Sequence, residues 1–541
     1  MLTKLLITTG IAATMAAAMP TSISSADEGG RGDIRQVLLL SVDGLHAVDL
    51  ENCTMTGLCP NLSKLTKHGI TYTNASTTEP SDSFPGLLAQ VTGGTSKSTG
   101  VFYDDSYDRT LFAPGSNCRV GPGSEVNLAE NIDRDQHSID GGVPTSLTGF
   151  NSGAAIDPNK LPQQLVNNRC SALWPHNFVR TNSIFGVIRK HGLRTAWSDK
   201  HPAYDIVNGN DPDTQPANGP GTNLNDFFAP EINSDLSDAN IALTHTLLGP
   251  NFSTAPDPTS RGGDFTSAID AVEFYDGLKV RAILNEINGS DHTGKHSMST
   301  PAIFGMNFQS VSVGQKLKGN GYVDTTGTPS AGLANAIGFV DRSIGQMVEG
   351  LQTRGLLKNT LLIVSAKHGQ SPIDVTKRTA LDDGAIFPVA IGANFAFDIA
   401  DDGVLIWLND NSDSNTATAV SALNGFPNDT GIGQWLSGPL LTLNYQNPAH
   451  DARAPDIIGI ARIGVIYTTG SKIAEHGGFN VDDTHVALLV AHPDFDQQRV
   501  NASVATAQIA PTILKALGLD PEALDGVRIE ATPLLPGFED R

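Results

Sequence analysis

The sequence predicts an α/β fold: a central, mostly parallel sheet flanked by helices, with loop-rich insertions. Three observations indicate this. Apolar runs such as residues 37–40 contain no polar residue, as in strands buried on both faces. Amphipathic stretches of helical period separate these runs, so strands and helices alternate. Several runs also end on polar residues, and ligands bind at the carboxyl edge of open parallel sheets.

The first half of the chain follows this alternation. "VLLL" predicts a strand, "CPNLSKLTKHG" a short helix ended by Gly69, and "ITYTNAST" a second strand. "SDSFPGLLAQVTGG" predicts a turn that leads into a helix, which ends at Gly93 and Gly94. Beyond a loop-rich region, a helix is expected over 185–191 and a strand over 194–197.

The second half continues the pattern. "DFTSAIDAVEFYDGLKVRAILNEI" predicts an amphipathic helix, and "PAIFGMNFQSVSVGQ" a strand with a trailing loop. "LANAIGFVDRSIGQMVEGLQTRG" predicts a helix that ends at Gly355 and leads into the strand "LLIVS". The last apolar runs are "APDIIGIARIGVIYT" and "THVALLVAHP", followed by a terminal helix that ends at Gly518.

Composition and length limit the possible functions and the number of domains. The chain has 541 residues, 39% of them hydrophobic, and a formal net charge of −22. So acidic a surface disfavours binding to nucleic-acid backbones, although a metal ion or a lysine can still attract a small anionic substrate. We expect a single domain over 27–541, with insertions at about 105–180, 206–262 and 375–450.

The N-terminus resembles a targeting segment. Lys4 precedes the apolar stretch "LLITTGIAATMAAAM", and "SSAD" offers a small-residue cleavage site that ends at Ala26. We therefore expect residues 1–26 to be a signal peptide. The stretch is too short and too rich in Ala and Thr for a membrane span, and no later run is long enough. The predicted location is secreted or periplasmic.

Export favours disulfides over zinc binding for the four cysteines. Cys53 and Cys59 enclose a small loop, so we favour the pairs Cys53–Cys59 and Cys118–Cys170. The sequence alone leaves all three pairings open.

Polar residues just past the apolar runs are the candidate functional residues. In an open parallel sheet such strand ends share the edge where ligands bind, and the residues in this position are Asp43, Asp199, Lys367 and His368. Asp43 follows "LLLSV", where a carboxylate could bind a metal ion or only cap a turn. Ser83 precedes Pro85, which suits the first turn of a helix, so Ser83 would lie where helix amides stabilise negative charge. It could equally be a plain N-cap. His476 precedes two glycines, which fits a metal ligand or an ordinary loop.

The stretch "LLIVSAKHGQ" ends a buried strand on Lys367 and His368. Such a pair could line a catalytic pocket or merely terminate the strand.

Taken in order, several stretches resemble the alkaline phosphatase superfamily, in particular its type I phosphodiesterase/nucleotide pyrophosphatase branch. They are "LLLSVDG", "SDSFPGLLAQVTGG", "SAKHGQ", "EHGGFNVDDTHVALLV" and "TAQIAPTILKALGLDP". The resemblance covers most of residues 35 to 525. It implies a sheet flanked by helices, two zinc ions at the carboxyl edge, and a Ser or Thr that forms a covalent phosphoenzyme.

The resemblance also implies residue roles. Asp43, His368 and His476 fall on metal ligands, and Ser83 falls on the nucleophile, which also contacts metal.

Four positions depart from the family pattern. Lys367 stands where the family has the Asp of Ser-Asp-His-Gly, and Asn307 and Val311 stand where it has a metal-binding Asp and His. Asp104 aligns with a phosphate-holding Asn. Asp104 and Asn307 are the candidate substrate-binding residues.

The altered charges change the expected cofactor. The two lost carboxylates and the added ammonium of Lys367 leave too little negative charge for two Zn²⁺ ions, so we expect one divalent ion and favour Zn²⁺. Lys367 would then stabilise the developing oxyanion, and Asp104 could pair with it. Further ligands could come from "SDKHPAYD" or "GSDHTG", where the candidates are Asp199, His201, Asp291 and His292. The alternative is that these four are ordinary polar residues of surface loops.

The predicted function is an exported hydrolase of phosphate esters or diesters. Ser83 would attack phosphorus beside a metal ion held by Asp43 and His368. Two alternatives remain open: an inactive binding protein with the same fold, and a hydrolase of other anionic esters such as sulfates or phosphonates.

Overall fold

A computed structural model describes residues 34–249, 255–257, 262–382, 384 and 386–539. The strands in chain order are β1 Gln36–Val42, β2 Gly69–Tyr72, β3 Ala75–Ser76, β4 Asp105–Asp108, β5 Ser124–Asn127, β6 Gln163–Val166, β7 Arg169–Ala172, β8 Ala196–Ser198, β9 Asp226–Phe228, β10 Ile303–Phe308, β11 Thr360–Ser365, β12 Thr379–Leu381, β13 Phe395–Ala400, β14 Gly403–Leu408, β15 Ile432–Ser437, β16 Ile457–Ala461, β17 Val465–Tyr467, β18 His485–Val486, β19 Leu488–Ala491, β20 Gln498–Val500 and β21 Val504–Ala505.

The helices alternate with these strands through much of the chain. In chain order they are α1 Ala47–Thr56, α2 Pro60–Thr66, α3 Ser83–Thr92, α4 Ser96–Thr99, α5 Pro144–Thr148, α6 Pro175–Phe178, α7 Ile184–Lys190, α8 Asp238–Leu248, α9 Ile269–Ile287, α10 Ser310–Lys316, α11 Ala331–Thr353, α12 Ile386–Ile391, α13 Asp413–Leu423, α14 Val481–Thr484, α15 Ile509–Ala516 and α16 Asp525–Glu530. Short 3-10 turns join several of them.

The largest sheet has eight strands in the order β20-β2-β19-β11-β1-β10-β8-β9. Strand β19 runs antiparallel to both its neighbours, and the other described pairings are parallel. The predicted α/β class with a mostly parallel central sheet is therefore confirmed.

Both faces of β1 are buried, as its uninterrupted apolar run predicted. Val37 and Leu39 pack into a cluster with residues of α3, α7 and α15. Leu38 and Leu40 pack into a second cluster on the opposite face, with residues of α2, α9 and α11. The sheet thus lies between two layers of helices, and this packing holds the carboxyl ends of its strands in place.

The predicted loop after β10 is instead the helix α10. The carboxylate of Asp276 on α9 accepts hydrogen bonds from the backbone amides of Gln309 (2.9 Å) and Ser310 (2.8 Å) at the start of this helix. Asp276 is fully buried and also contacts Lys279 at 3.1 Å. Because this cap comes from a distant helix, local sequence patterns could not reveal it.

The regions predicted as insertions contain structure of their own. The hairpins β4–β5 and β6–β7 lie within 105–180, and a second sheet of order β13-β14-β16-β15 spans 395–461. The insertion boundaries stay a prediction, and the predicted signal peptide, residues 1–26, lies outside the described residues.

Both favoured disulfides are present. Cys53 pairs with Cys59, and Cys118 pairs with Cys170 across a separation of 52 residues. The second bridge ties the two hairpins of the 105–180 region together.

The Cys118–Cys170 bridge should stabilise the protein measurably. Both residues are at least partly exposed, so replacing them with serine removes little packing. We expect the double substitution Cys118→Ser/Cys170→Ser to lower the free energy of unfolding by about 2–4 kcal/mol, since the unfolded chain then gains freedom over a long loop. Urea unfolding under oxidising conditions measures this, and a loss below about 1 kcal/mol would contradict it.

Candidate active site

The carboxyl ends of the central parallel strands bring the predicted polar residues together. Asp43 follows β1, Asp199 follows β8, and Lys367 and His368 follow β11. Salt-bridge distances of 3.0 to 3.9 Å link the four side chains. The expectation that these polar strand ends meet at one edge is therefore confirmed.

Ser83 begins helix α3, which faces this edge. The side chain of Asp82 caps the helix by accepting a hydrogen bond from the amide of Phe84 at 2.9 Å. Gly86 allows the helix to approach, because a Cβ at this position would lie 2.2 Å from the carbonyl oxygen of Lys367. Any larger residue would push Ser83 away from the strand end.

The hydroxyl of Ser83 lies among three nitrogen atoms. Lys200 Nζ is 3.0 Å from Ser83 Oγ, His368 Nε2 is 3.1 Å away, and His476 Nε2 is 3.5 Å away. Ser83 is almost fully buried, whereas Lys200 keeps about 15% of its side chain exposed. A base and a cation thus contact a hydroxyl at a helix N-terminus, which is an arrangement suited to a nucleophile.

Hydrogen bonds fix different tautomers for the two histidines. His368 Nδ1 donates to the carbonyl oxygen of Gly369 at 2.7 Å, so a neutral ring leaves Nε2 free to accept from Ser83. His476 Nδ1 accepts from Lys316 Nζ at 3.0 Å, so a neutral His476 carries its proton on Nε2. The two rings stack with centroids 3.8 Å apart.

Burial keeps both rings neutral. It is the main cause that lowers the pKa of His368, although Asp43 acts in the opposite direction. Burial, His368 and Lys316 together hold the pKa of His476 well below its usual range. His368 is therefore in the form that can accept a proton at neutral pH.

The carboxylate of Asp43 is surrounded by donors and cations. Asn307 Nδ2 donates to Oδ1 at 2.7 Å, and Gln309 Nε2 donates to Oδ2 at 2.6 Å. The ammonium groups of Lys200 and Lys367 lie 3.8 and 3.9 Å from Oδ2. Burial alone would raise the pKa of Asp43, but Lys367, His368 and Lys200 together hold it well below its usual range.

Lys367 points inward, into the protein. Its Nζ lies 3.0 Å from Asp199 Oδ1 and 4.0 Å from the centre of the Tyr204 ring, and its side chain has no exposed surface. Burial lowers its pKa, while Asp199 and Asp43 act in the opposite direction. The predicted pairing of Lys367 with Asp104 is therefore corrected: Asp199, at the end of β8, takes that place.

This donor set does not fit a divalent ion at the predicted ligands Asp43, Ser83, His368 and His476. Two ammonium groups already lie against the Asp43 carboxylate, and one of them also contacts Ser83. A divalent cation there would be repelled by both.

The other predicted residues have distinct environments. Asn307 uses its amide within the protein, donating to Asp43 and to the carbonyl oxygen of Ser41 and accepting from Gln309. Both amide hydrogens of Asn307 are thus used within the protein and are not free to donate to a substrate. Burial raises the pKa of Asp104, while nearby Lys200 and His201 oppose the shift.

Asp291 and His292 belong to a separate network. His292 Nδ1 lies 2.6 Å from Asp226, and Asp291 lies 2.7 Å from His296. Their partners account for both side chains, and neither joins the cluster around Ser83 in the described contacts.

Sequence reasoning missed two lysines of the site. Lys200 directly follows Asp199 at a polar strand end, so the same argument that selected Asp199 could have found it. Lys316 lies 2.7 Å from Glu475 and contacts His476, but it belongs to helix α10, where a loop had been predicted.

A second group of residues could hold a divalent ion. The candidate ligand atoms of Glu130, His201 and Glu231 lie within 4.8 Å of one another. Only His201 in this group was anticipated from the sequence.

Comparison with known proteins identifies the family of the chain. The sequence matches the type I phosphodiesterase / nucleotide pyrophosphatase family over residues 37–152 and 270–485. The chain belongs to this family. Membership makes it a phosphoric ester hydrolase by class and confirms the resemblance seen in the motifs. No curated protein sequence matches significantly.

Solved structures share the fold at low identity. Murine ectonucleotide pyrophosphatase / phosphodiesterase 5 is 13% identical, with a TM-score of 0.54 over 92% of this chain and 99% of the murine chain. An inactive variant of the same murine protein, in complex with AMP, gives the same values. Separately, no helix among the described residues has the length and apolar character needed to cross a bilayer.

Proposed function

We propose that this protein is an exported hydrolase of phosphate esters or diesters, in which lysines supply the positive charge that zinc ions supply in the family pattern. The observation that carries the proposal is the contact of Ser83 Oγ with both His368 Nε2 and Lys200 Nζ. A hydroxyl held between a neutral base and an ammonium group is set up to attack an anionic ester.

Ser83 would attack phosphorus while its proton passes to His368 Nε2. A bond forms between Ser83 Oγ and phosphorus, and the bond to the leaving oxygen breaks, giving a phosphorylated serine and an alcohol whose oxygen takes a proton from solvent. Water would then attack the same phosphorus atom and release one proton to solvent as the bond between phosphorus and Ser83 Oγ breaks, and the proton held on His368 returns to Ser83. The Nδ1 bond to Gly369 keeps the ring oriented through both steps.

Three groups would stabilise the charge on the transferring phosphoryl group. Lys200 is placed to contact both the serine oxygen and a nonbridging phosphoryl oxygen. The Nε2 proton of His476, which the Lys316 bond leaves on that nitrogen, would donate to another. The amides at the start of α3 add partial positive charge.

Lys367 plays an indirect part in this proposal. It lies between Asp43 and Asp199 with no solvent contact, so it would fix the strand-end geometry and the local field rather than contact substrate. The zinc ion predicted from the sequence could bind at Asp43 only if the side chain of Lys200 moved away from this carboxylate.

Family membership does not name the substrate of this chain. AMP is bound by the murine relative, and a nucleotide diester is therefore one substrate class to test on this chain. The sequence-based alternatives, a sulfate or phosphonate hydrolase and an inactive binding protein, predict different outcomes on a panel of nitrophenyl esters.

Export to an oxidising compartment belongs to the same proposal. Two disulfides, one of them in a loop-rich surface region, support it because reduced compartments keep such cysteines as thiols.

Replacing the nucleophile should abolish turnover. We expect Ser83→Ala to lower kcat on bis-p-nitrophenyl phosphate by at least about a thousandfold, because no other group replaces the attacking oxygen. Ser414 is exposed, so Ser414→Ala is the matched control, and its kcat should equal that of the wild type. Equal rates for Ser83→Ala and the wild type would contradict the assignment, and turnover of p-nitrophenyl sulfate but neither phosphate would favour the sulfatase alternative.

Lys200 should contribute mainly to the transition state. We expect Lys200→Met to lower kcat by about 10²–10³-fold, the usual effect of removing one charge-stabilising donor. Lys358→Met, at an exposed lysine, is the control. A kcat within threefold of the wild type would exclude a catalytic role for Lys200.

The acid limb of the pH profile should report His368. Activity requires its neutral form, and burial lowers its pKa from the ordinary 6.5. Activity should therefore persist as the pH falls through 6.5 and decline only below it. Measuring kcat/KM on a diester, which does not titrate in this range, tests this, and an acid limb centred above pH 6.5 would contradict His368 as the base.

A further inference from the structure

Four side chains of the kinds that bind metal ions lie near one another beside the candidate active site. Glu130 begins a short 3-10 turn, Glu130–Ile132, and Asp133 directly follows it, in the loop-rich region tied by Cys118–Cys170. His201 follows β8 and Glu231 follows β9. Candidate ligand atoms of Glu130, His201 and Glu231 lie within 4.8 Å of one another, so one ion could contact all three.

No donor group satisfies the buried carboxyl group of Asp133. Its side chain is fully buried, and neither of its oxygens accepts a hydrogen bond from a donor among the described residues. The carboxyl group lies instead against that of Glu231. Lys160, the nearby cation, donates at 2.5 Å to the backbone carbonyl of Asp133 rather than to its carboxylate. An unsatisfied buried carboxylate is costly, and carboxylates of this kind bind metal ions or protons.

The neighbouring charges increase this cost. Glu231 is fully buried, and its contact with the imidazole of His201, at 2.7 Å, involves a ring rather than a permanent cation. Burial together with Glu231 raises the pKa of Asp133, and burial also raises that of Glu231.

We propose that Glu130, Asp133, His201 and Glu231 form a site for one divalent first-row cation such as Mn²⁺ or Zn²⁺. One imidazole nitrogen together with carboxylate oxygens is a donor set that these ions accept, whereas Ca²⁺ and Mg²⁺ prefer oxygen alone. An ion here would give the buried carboxyl groups the positively charged partner that the described residues do not supply. None of these four residues falls on a metal-ligand position of the family pattern.

Such an ion would support the segment that carries Lys200. Lys200 directly precedes His201, and the carbonyl oxygen of Lys200 accepts a hydrogen bond from the amide of Ile232 at 3.1 Å, next to Glu231. Holding His201 and Glu231 together would therefore fix the backbone from which Lys200 reaches Ser83. It would also give the 105–180 region a role, since that region supplies two of the four ligands.

Metal binding can be measured without any assay of turnover. Full-length protein is stripped with chelator, and Mn²⁺ or Zn²⁺ is titrated calorimetrically while bound metal is counted by mass spectrometry. We expect one ion per chain in the wild type and a Kd raised about a hundredfold or more in Glu231→Gln, a substitution that keeps the side-chain shape. Metal should raise the Tm of the wild type but not that of Glu231→Gln.

Two controls locate the ion. Glu522→Gln, at an exposed glutamate, should bind like the wild type. His476→Ala should also retain the ion if it lies at the proposed site, and lose it if the ion lies beside Ser83. Absence of binding at millimolar Mn²⁺ and Zn²⁺, or loss of binding in His476→Ala but not in Glu231→Gln, would overturn the proposal. Because the readout is binding, this outcome is independent of whether Ser83 proves catalytic.

Discussion

The site depends on how the buried carboxylate of Asp43 is neutralised. Two side-chain amides, two ammonium groups and one imidazole lie within 4 Å of it. A lone ionised carboxylate at this depth would be costly, and so would Lys367 without its two acidic neighbours. The charges therefore require one another, and together they place Lys200 and His368 against Ser83. Fixed protein cations thus stand where the family resemblance implies metal ions.

Under the proposed function, the replacement of ions by side chains has structural consequences. A zinc ion binds several ligands from one point, whereas Lys200 must reach the serine from the end of β8 and needs its backbone held firmly. The hydrogen bond to Ile232 and the neighbouring cluster of His201 and Glu231 supply that support. The close approach of α3 at Gly86 positions the nucleophile, since it places Ser83 beside the end of the strand that His368 follows.

Much of the site was predictable because polar residues at the ends of parallel strands must share one edge. Asp43, Asp199 and His368 were found by that argument, and Ser83 by its place at a helix start. Lys200 and Lys316 were not, although Lys200 is adjacent to a selected residue. A lysine side chain can extend into a pocket or into solvent. Which it does depends on partners far away in the sequence, such as Glu475 for Lys316, and a local sequence pattern does not reveal those partners.

The sequence by itself determined the fold class, the strand ends that build the site and the family, because hydrophobic periodicity and motif order are local properties of the chain. It also favoured the correct disulfides. Only the tertiary structure decided which charges meet. It showed Lys367 paired with Asp199 rather than Asp104, and it brought Glu130 and Glu231, a hundred residues apart in sequence, to one imidazole. Electrostatic interactions depend on distances in the folded state, and these follow from the packing of the whole chain.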